Sequence, residues 1–589
     1  MTAIKPHPQA SNQLWGSDEI AALLRALDFE YIALTPGASF RGLHDSLVNY
    51  LGNSRPELLL CVHEESAVAI AHGYARVHGK PMVVALHSNV GLMHATMAIF
   101  NAWCDRVPIV LIGAVGPMDA MKRRPWVDWI HTARDLGALV RGYTKWDDQP
   151  ESVPAALEAI VRAHQIAMTY PRGPVFVCLD AALQEQLSET PAEAPVLSRF
   201  RPPVAGDPPA EDVAKAAAAL AGARRPLILC GRVSSDMEDW RRRIALAERL
   251  GARVITDLKT GARFPTTHPL HAHAPGLFVT PEAGVTVAEA DVILSLDWVD
   301  LGGTLRQACG GKWPDATVIQ CSLDRYTHNG WSMDYQALPP SEISILSMPD
   351  RLVSLLLEQI GQGSSGWPPR PEAAPAVAAA DGEVLSVATM SRVVTEQLAA
   401  HNPSYIRLPL GWPGELCRFE HPLDYIGFDG GGGIGSGPGM AVGAAIALRG
   451  SGRLPVAVLG DGDYLMGLTA IWTAAAYKVP LLIVIANNQS FFNDELHQER
   501  VARARGRPIE NRSVGLRMSD PPLDLAMLAR GQGARGFGPV ASEAALRDAM
   551  AKAIGAARAG AVSVVDARVA PEYSRAMSSS LLRHIPNSK

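Results

Sequence analysis

Pro455-Val456-Ala457-Val458-Leu459-Gly460-Asp461-Gly462-Asp463 is an apolar run that stops at two aspartates set between glycines. Leu481 to Ala486 (LLIVIA) is a second such run, and it stops at Asn487-Asn488. Short apolar runs bounded by turn residues read as buried strands, and in open parallel α/β sheets ligands sit beyond the carboxyl ends of the strands. Asp461 and Asn488 are therefore expected at the same edge of one sheet. A carboxylate, an amide oxygen and a backbone carbonyl after Asn488, for which Ser490 is the candidate, form a hard-oxygen half-shell for Mg²⁺, an ion that shares such sites with phosphates. Gly460 and Gly462 would let the backbone approach a diphosphate, and a helix expected to begin near Leu465 would favour its charge. Taken alone, Gly-Asp-Gly is more simply a turn and Asn488 a helix cap. The pairing over successive strands favours the metal and diphosphate reading.

The alternation extends in both directions. Before it, Tyr31–Leu34, Leu58–Val62, Met82–Leu86, Ile109–Gly113 and Pro174–Leu179 read as strands, interleaved with helices such as Glu65 to Val77 and Gly91 to Trp103. Leu227–Cys230, Arg253–Thr256, Val292–Leu296 and Thr317–Gln320 repeat the scheme, with a helix over Trp240 to Leu250. Tyr405–Leu408 and Ser563–Asp566 complete the strands of the third part. Gln184 to Asp207 and Gln362 to Ala380 read as linkers from their Pro, Ala and Glu content. The expected fold is α/β: three successive doubly wound α/β domains with parallel sheets, over residues 1–190, 208–362 and 381–572, with 573–589 as a tail or lid.

A chain of 589 residues, 48% hydrophobic and 19% charged, excludes both a single small module and wholesale disorder. The formal charge of -5 without a dense basic run argues against a nucleic-acid partner. No apolar stretch approaches the ~20 residues of a membrane span, and the start MTAIKPHPQASNQ lacks the apolar core of a signal peptide. The seven cysteines are scattered and contain no CxxC, which suggests reduced core residues in a cytoplasmic protein.

Two further segments carry chemistry. Glu64, in Cys61-Val62-His63-Glu64-Glu65, follows a strand and opens the helix SAVAIAHGYAR; a carboxylate there can serve the helix dipole, the role that suits Glu65 best, or move a proton. Gly430-Gly431-Gly432-Gly433-Ile434-Gly435-Ser436-Gly437 leads into MAVGAAIAL, and alone it is a flexible loop.

Gly-Asp-Gly followed after 27 positions by Asn-Asn resembles the thiamin-diphosphate motif of the pyruvate decarboxylase and acetohydroxyacid synthase superfamily. The resemblance covers the whole chain. It implies, in order, a pyrimidine-binding, a central and a diphosphate-binding domain, and it implies thiamin diphosphate and Mg²⁺ as cofactors. On it, Asp461, Asn488 and Ser490 hold the metal, while Gly433, Ile434, Gly435, Gly460, Gly462 and Asp463 join Asp461 and Asn488 in binding the cofactor. Ile434 takes the place of the aliphatic residue wedged between the two cofactor rings, and Glu64 that of the glutamate bonded to the aminopyrimidine.

Leu86-His87-Ser88, Asn101 to Trp103, Phe264-Pro265-Thr266-Thr267-His268-Pro269 and Ala470 to Pro480 together look like the benzoylformate decarboxylase branch. That likeness implies His87 and His268 as proton-moving catalytic residues beside Glu64, and Ala38, Ser39, His87 and Ser88 at the substrate. Ala38 stands where that branch has a substrate-binding serine, with Ser39 next to it.

The implied activity is non-oxidative decarboxylation of a 2-oxo acid, with an acceptor aldehyde as a second substrate when carbon–carbon bonds are formed. The alternatives are an acetolactate-synthase-like or acyloin-forming transferase and a 2-hydroxyacyl-CoA lyase. A flavin has no clear mark, since Leu229-Cys230-Gly231-Arg232 replaces a GxGxxG at the first central strand. The resemblance also implies a homodimer or a dimer of dimers.

Overall fold

The computed structural model describes residues 13–324, 338–363, 366–368 and 385–573. Three parallel sheets follow one another along the chain. The first has six strands in the order Glu57–Leu60, Tyr31–Leu34, Val83–Leu86, Ile109–Val115, Pro174–Asp180, Asp147–Asp148. The second runs Arg253–Thr256, Pro226–Cys230, Val292–Leu296, Thr317–Cys321, Ile343–Ile345, and the third Pro403–Arg407, Leu454–Gly460, Leu481–Asn487, Val562–Arg568, Arg535–Val540. In the third, Gly460 pairs with Ala486, so Asp461 and Asn487 leave the sheet side by side.

Every expected strand is present within a few residues. Three strands of these parallel sheets were not foreseen, Asp147–Asp148, Ile343–Ile345 and Arg535–Val540, and each is the outermost strand of its sheet. An edge strand has one neighbour and needs less apolar surface, which leaves a weak pattern in sequences such as RGFGPV. The expected linker from Gln184 is partly structured: Leu187–Ser188 pairs antiparallel with Leu14–Trp15 in a small sheet of their own, which ties the chain back to the start of helix Gly16–Ala26. Much of the second expected linker, residues 369–380, and all but Tyr573 of the expected tail lie outside the described residues.

The first and third sheets share one apolar core, which runs from Ala33 to Val564. Its centre is the crossing of helices Glu64–His78 and Ser436–Ala447. The second of these is buried on all sides as far as Ile446, as its uninterrupted small and apolar residues require. A Cβ on Gly443 would collide with the Ile70 carbonyl, and one on Gly73 with that of Met440, so the helices meet backbone to backbone. This contact sets the distance between the two sheet edges that carry polar residues. No described helix is long and apolar enough to cross a membrane. All seven cysteines are free, and all but Cys309 are buried.

Candidate active site

The strand Leu454–Gly460 passes directly into the helix Asp461–Met466, so the helix starts at Asp461 and not near Leu465. Asp461 is buried, with its carboxylate accepting the N–H groups of Gly462 (2.7 Å) and Gln489 (2.5 Å). Burial nevertheless pushes its pKa up to about 6, against the pull of those backbone donors. Gln489 has φ +55°, which folds the chain sharply between Asn488 and Ser490. The Asn488 side-chain oxygen accepts the Ser490 N–H at 2.9 Å. The hydroxyl of Ser490 is donated to the fully buried Glu495, which also pairs with Arg517, so any metal-binding role of Ser490 falls to its carbonyl. The charged stretch from Phe491 to Arg500 is a helix, Phe492–Ala504, pinned at this point.

Asp463 does other work. Its Oδ1 accepts the N–H groups of Gly435 (2.7 Å) and Gly437 (3.2 Å), and its Oδ2 lies 3.1 Å from the buried Arg407. Arg407 also pairs with Asp429 at 2.8 Å, so one buried guanidinium anchors both ends of the glycine loop. Asp463 is therefore a clamp on the loop and not a group turned towards a cofactor. Burial raises the Asp429 carboxyl to about 7. Asn101 holds the loop from the other domain, bonding Ser436 Oγ (2.7 Å) and both the carbonyl (3.2 Å) and the N–H (3.3 Å) of Gly433. Held at these points, Ile434 projects outward, 36% exposed, beside the Gly-Asp-Gly turn.

On the facing edge, His63 caps the helix Glu64–His78 by accepting the Glu65 N–H at 3.2 Å. Glu64 is 6% exposed, and His94 donates from Nδ1 to its Oε2 at 3.1 Å. Gly91 makes room for it, since a Cβ there would lie 3.1 Å from Glu64 Oε1. Glu65 points elsewhere, to within 3.4 Å of where a Cβ on Gly435 would stand. Its carboxyl is raised, first by burial and then by the charge of Asp463.

His87 follows the strand Val83–Leu86, and its Nδ1 is hydrogen-bonded to Ser39 Oγ at 2.7 Å. Ser39 is buried in the short turn Ala38–Phe40, whereas Ala38 is exposed. Gly37 is required beneath it, because a Cβ would enter the His87 ring. Burial, then the neighbouring His131 ring at 4.9 Å, lowers the His87 pKa from its ordinary 6.5 and keeps the imidazole neutral. Ser88 does not face a substrate. It is fully buried at φ +51°, and its hydroxyl is donated to the His131 carbonyl at 2.6 Å.

His268 is not brought to His87. It lies in the central part of the chain, with Nε2 on Glu248 (3.2 Å) and Nδ1 accepting the Leu270 N–H (3.2 Å), and it packs edge-on against Phe264. Both ring nitrogens are occupied in holding a turn. A cavity of about 980 Å³ also lies away from the Gly-Asp-Gly edge, where all three sheets meet, and among its cations Arg76, Arg106 and Arg232 are paired with Asp105 and Asp324.

His94, His131, Asn101, Arg407 and Glu495 were not singled out from sequence as site residues. Asn101 stood in a recognised segment, and His94 stands in a mainly apolar stretch of its helix. Glu495 lies in the stretch Phe491 to Arg500, whose charge reads from sequence equally as a substrate-channel lining or a solvated helix. Arg407 carried no local signal.

The residues fit the implied cofactor. Asp461, Asn488 and the Ser490 carbonyl are hard oxygen donors suited to Mg²⁺. Beside them, a Cβ on Gly460 or Gly432 would meet nothing within 4 Å, which leaves open space for a diphosphate, and Ile434 offers an apolar wedge. Such an edge, on a parallel α/β sheet packed against a second sheet that carries a shielded glutamate, defines a diphosphate-cofactor enzyme of α/β class.

Sequence comparison narrows the class. Family models described as the N-terminal TPP binding domain, the central domain and the C-terminal TPP binding domain of thiamine pyrophosphate enzymes match residues 14–136, 213–329 and 410–567. Together they span more than half of the chain, and the chain belongs to the thiamine pyrophosphate enzyme family. It is 26% identical over 449 residues to a benzoylformate decarboxylase of Pseudomonas aeruginosa, covering 74% of this chain and 79% of that one. It is likewise 26% identical over 503 residues to an acetolactate synthase large subunit of Haemophilus influenzae, covering 81% and 82%. The fold matches the crystal structure of benzoylformate decarboxylase from Polynucleobacter necessarius with a TM-score of 0.77 at 22% identity, over 95% of this chain and all of that one.

Proposed function

We propose that the protein is a thiamin-diphosphate- and Mg²⁺-dependent decarboxylase of a 2-oxo acid, with capacity to join the product to an acceptor aldehyde. The observation that carries this reading is the Ser39–His87 pair at the edge of the first sheet, a half-buried imidazole oriented by a hydroxyl. A decarboxylase must return a proton to the carbon that lost CO₂, and an imidazole that takes up a proton from water can hand it on. The cofactor, when bound, accepts the electron pair left by CO₂. Asp461, Asn488 and the Ser490 carbonyl hold the ion and through it the diphosphate. Ile434 orients the rings, and Asp463, Arg407 and Asn101 keep its loop in place. Glu64, shielded from water, would hold a proton for the aminopyrimidine of a bound cofactor.

We further propose that two copies of the chain build each site. Within one chain it is Glu65 that lies against the Ile434 loop, while Glu64 faces Gly91 and His94. Glu64 is then free to serve the cofactor held by Asp461 of a second copy, in a homodimer or a dimer of dimers.

The test is direct. The purified protein with thiamin diphosphate and Mg²⁺ is incubated with a panel of aryl and alkyl 2-oxo acids, and CO₂, aldehyde and acyloin are measured. Release of CO₂ from none of them would overturn the reading.

A further inference from the structure

We propose that His94 is a positioning residue, which sets the orientation of the Glu64 carboxylate before the cofactor binds. The inference rests on the proposed role of Glu64 as the cofactor's proton partner.

The geometry is a short relay. The Glu65 N–H is donated to His63 Nδ1, which fixes the His63 ring as the helix cap. The His94 ring stacks on His63, with centroids 5.1 Å apart and planes 19° from parallel. Held in this way, His94 donates from Nδ1 to Glu64 Oε2 at 3.1 Å. The Glu64 side chain is 7% exposed and that of His94 is 52% exposed, so the pair joins a shielded carboxylate to a group in contact with solvent. His94 reaches Glu64 because both lie near the starts of adjacent helices, Glu64–His78 and Ser88–Cys104, and because Gly91 has no side chain between them.

The other ionisable groups that interact with Glu64 do not compete for this place. His63 has its Nδ1 occupied by the backbone, His87 is bonded to Ser39, and Cys61 is buried with its thiol held protonated by that burial.

The bond from His94 gives the shielded carboxylate a partner and a fixed direction, and from this one hydrogen bond it can be drawn to a cofactor ring nitrogen. Without the donor, the carboxylate would have to be ordered at the moment of binding, which weakens the binding.

The experiment is calorimetric titration of thiamin diphosphate, in the presence of Mg²⁺, into the full-length wild type and the His94→Asn, His94→Ala and Glu64→Gln variants, with thermal unfolding as a check on folding. His94→Asn keeps a hydrogen-bond donor and should bind close to the wild type. His94→Ala should bind more weakly, on the order of tenfold, without a fall in unfolding temperature. Identical affinities in all three His94 forms, with weakened binding in Glu64→Gln, would overturn the role of His94 alone. Unchanged binding in Glu64→Gln would overturn the role of Glu64 itself, and this inference with it.

Discussion

Ser39 Oγ and His87 Nδ1 are 2.7 Å apart, although 48 residues separate them in the chain. The bond fixes the imidazole so that its other nitrogen faces away from the turn Ala38–Phe40. It also decides between two adjacent small residues, since Ser39 is turned in while Ala38 is exposed.

Ser39→Ala should therefore lower kcat/KM by about tenfold, the effect of one lost hydrogen bond of ~1–1.5 kcal/mol. Ala38→Ser should have a much smaller effect on the rate, because a hydroxyl there has no contact with His87. Steady-state kinetics on the best 2-oxo acid would compare the two. Equal effects would remove Ser39 from the site.

Asp461→Ala should abolish Mg²⁺ and cofactor binding together. On the proposed reading the ion would link this carboxylate to the diphosphate, and without it the buried turn offers only backbone donors. Calorimetry with and without Mg²⁺ gives the result. Retained Mg²⁺-dependent binding of thiamin diphosphate would place the metal elsewhere.

Asp463→Ala tests the loop clamp. It leaves Arg407 buried with Asp429 as its remaining carboxylate and releases the Gly435 and Gly437 amides. Breaking a buried pair from one side costs about 3–5 kcal/mol. A clear drop in the unfolding temperature, with weaker cofactor binding in the protein that stays folded, is the expected outcome. Unfolding like that of the wild type would show that the clamp contributes nothing.

How much of this was legible follows from how local each signal was. Strands that end on Gly-Asp-Gly and Asn-Asn announce their edge, because an apolar run must stop where polar groups begin. The role of Asp463 as a clamp, and not as a group at the cofactor, was not legible. A helix that starts at Asp461 turns Asp463 back towards the glycine loop, and only a partner 56 residues upstream, Arg407, explains why it is buried. His268 sits in a recognisable Phe-Pro-Thr-Thr-His-Pro segment, yet its partner Glu248 lies on another helix of the same sheet layer. Within one chain, histidines that are paired in the sequence reading are not paired in space.

The lowered pKa of His87 gives a pH prediction with a definite sign. A histidine held below its ordinary 6.5 stays neutral further into acid, so the acid limb of kcat/KM that belongs to it should lie below pH 6.5. His131→Asn removes the neighbouring ring that adds to the shift, and should move this limb upward. Burial is the larger cause, so the limb should remain below its ordinary place. An acid limb of the wild type above pH 6.5 would assign the titration to another group.

The last expectation separates the two histidines by product. If His87 passes the proton that completes the aldehyde, His87→Ala should slow aldehyde release more than CO₂ loss, and an added acceptor aldehyde should capture a larger share of the product as acyloin. His268, with both nitrogens engaged by Glu248 and Leu270, has nothing to pass. His268→Ala should leave the aldehyde-to-acyloin ratio unchanged and lower only the unfolding temperature, by the ~0.5–1.5 kcal/mol of a partly exposed hydrogen bond. Chromatography of both products across an acceptor titration measures the ratio. A shift in His268→Ala equal to that in His87→Ala would bring His268 into the site, supplied from a second copy of the chain. An unchanged ratio in both would make the Ser39–His87 pair structural and favour a synthase, in which acyloin formation is the main reaction.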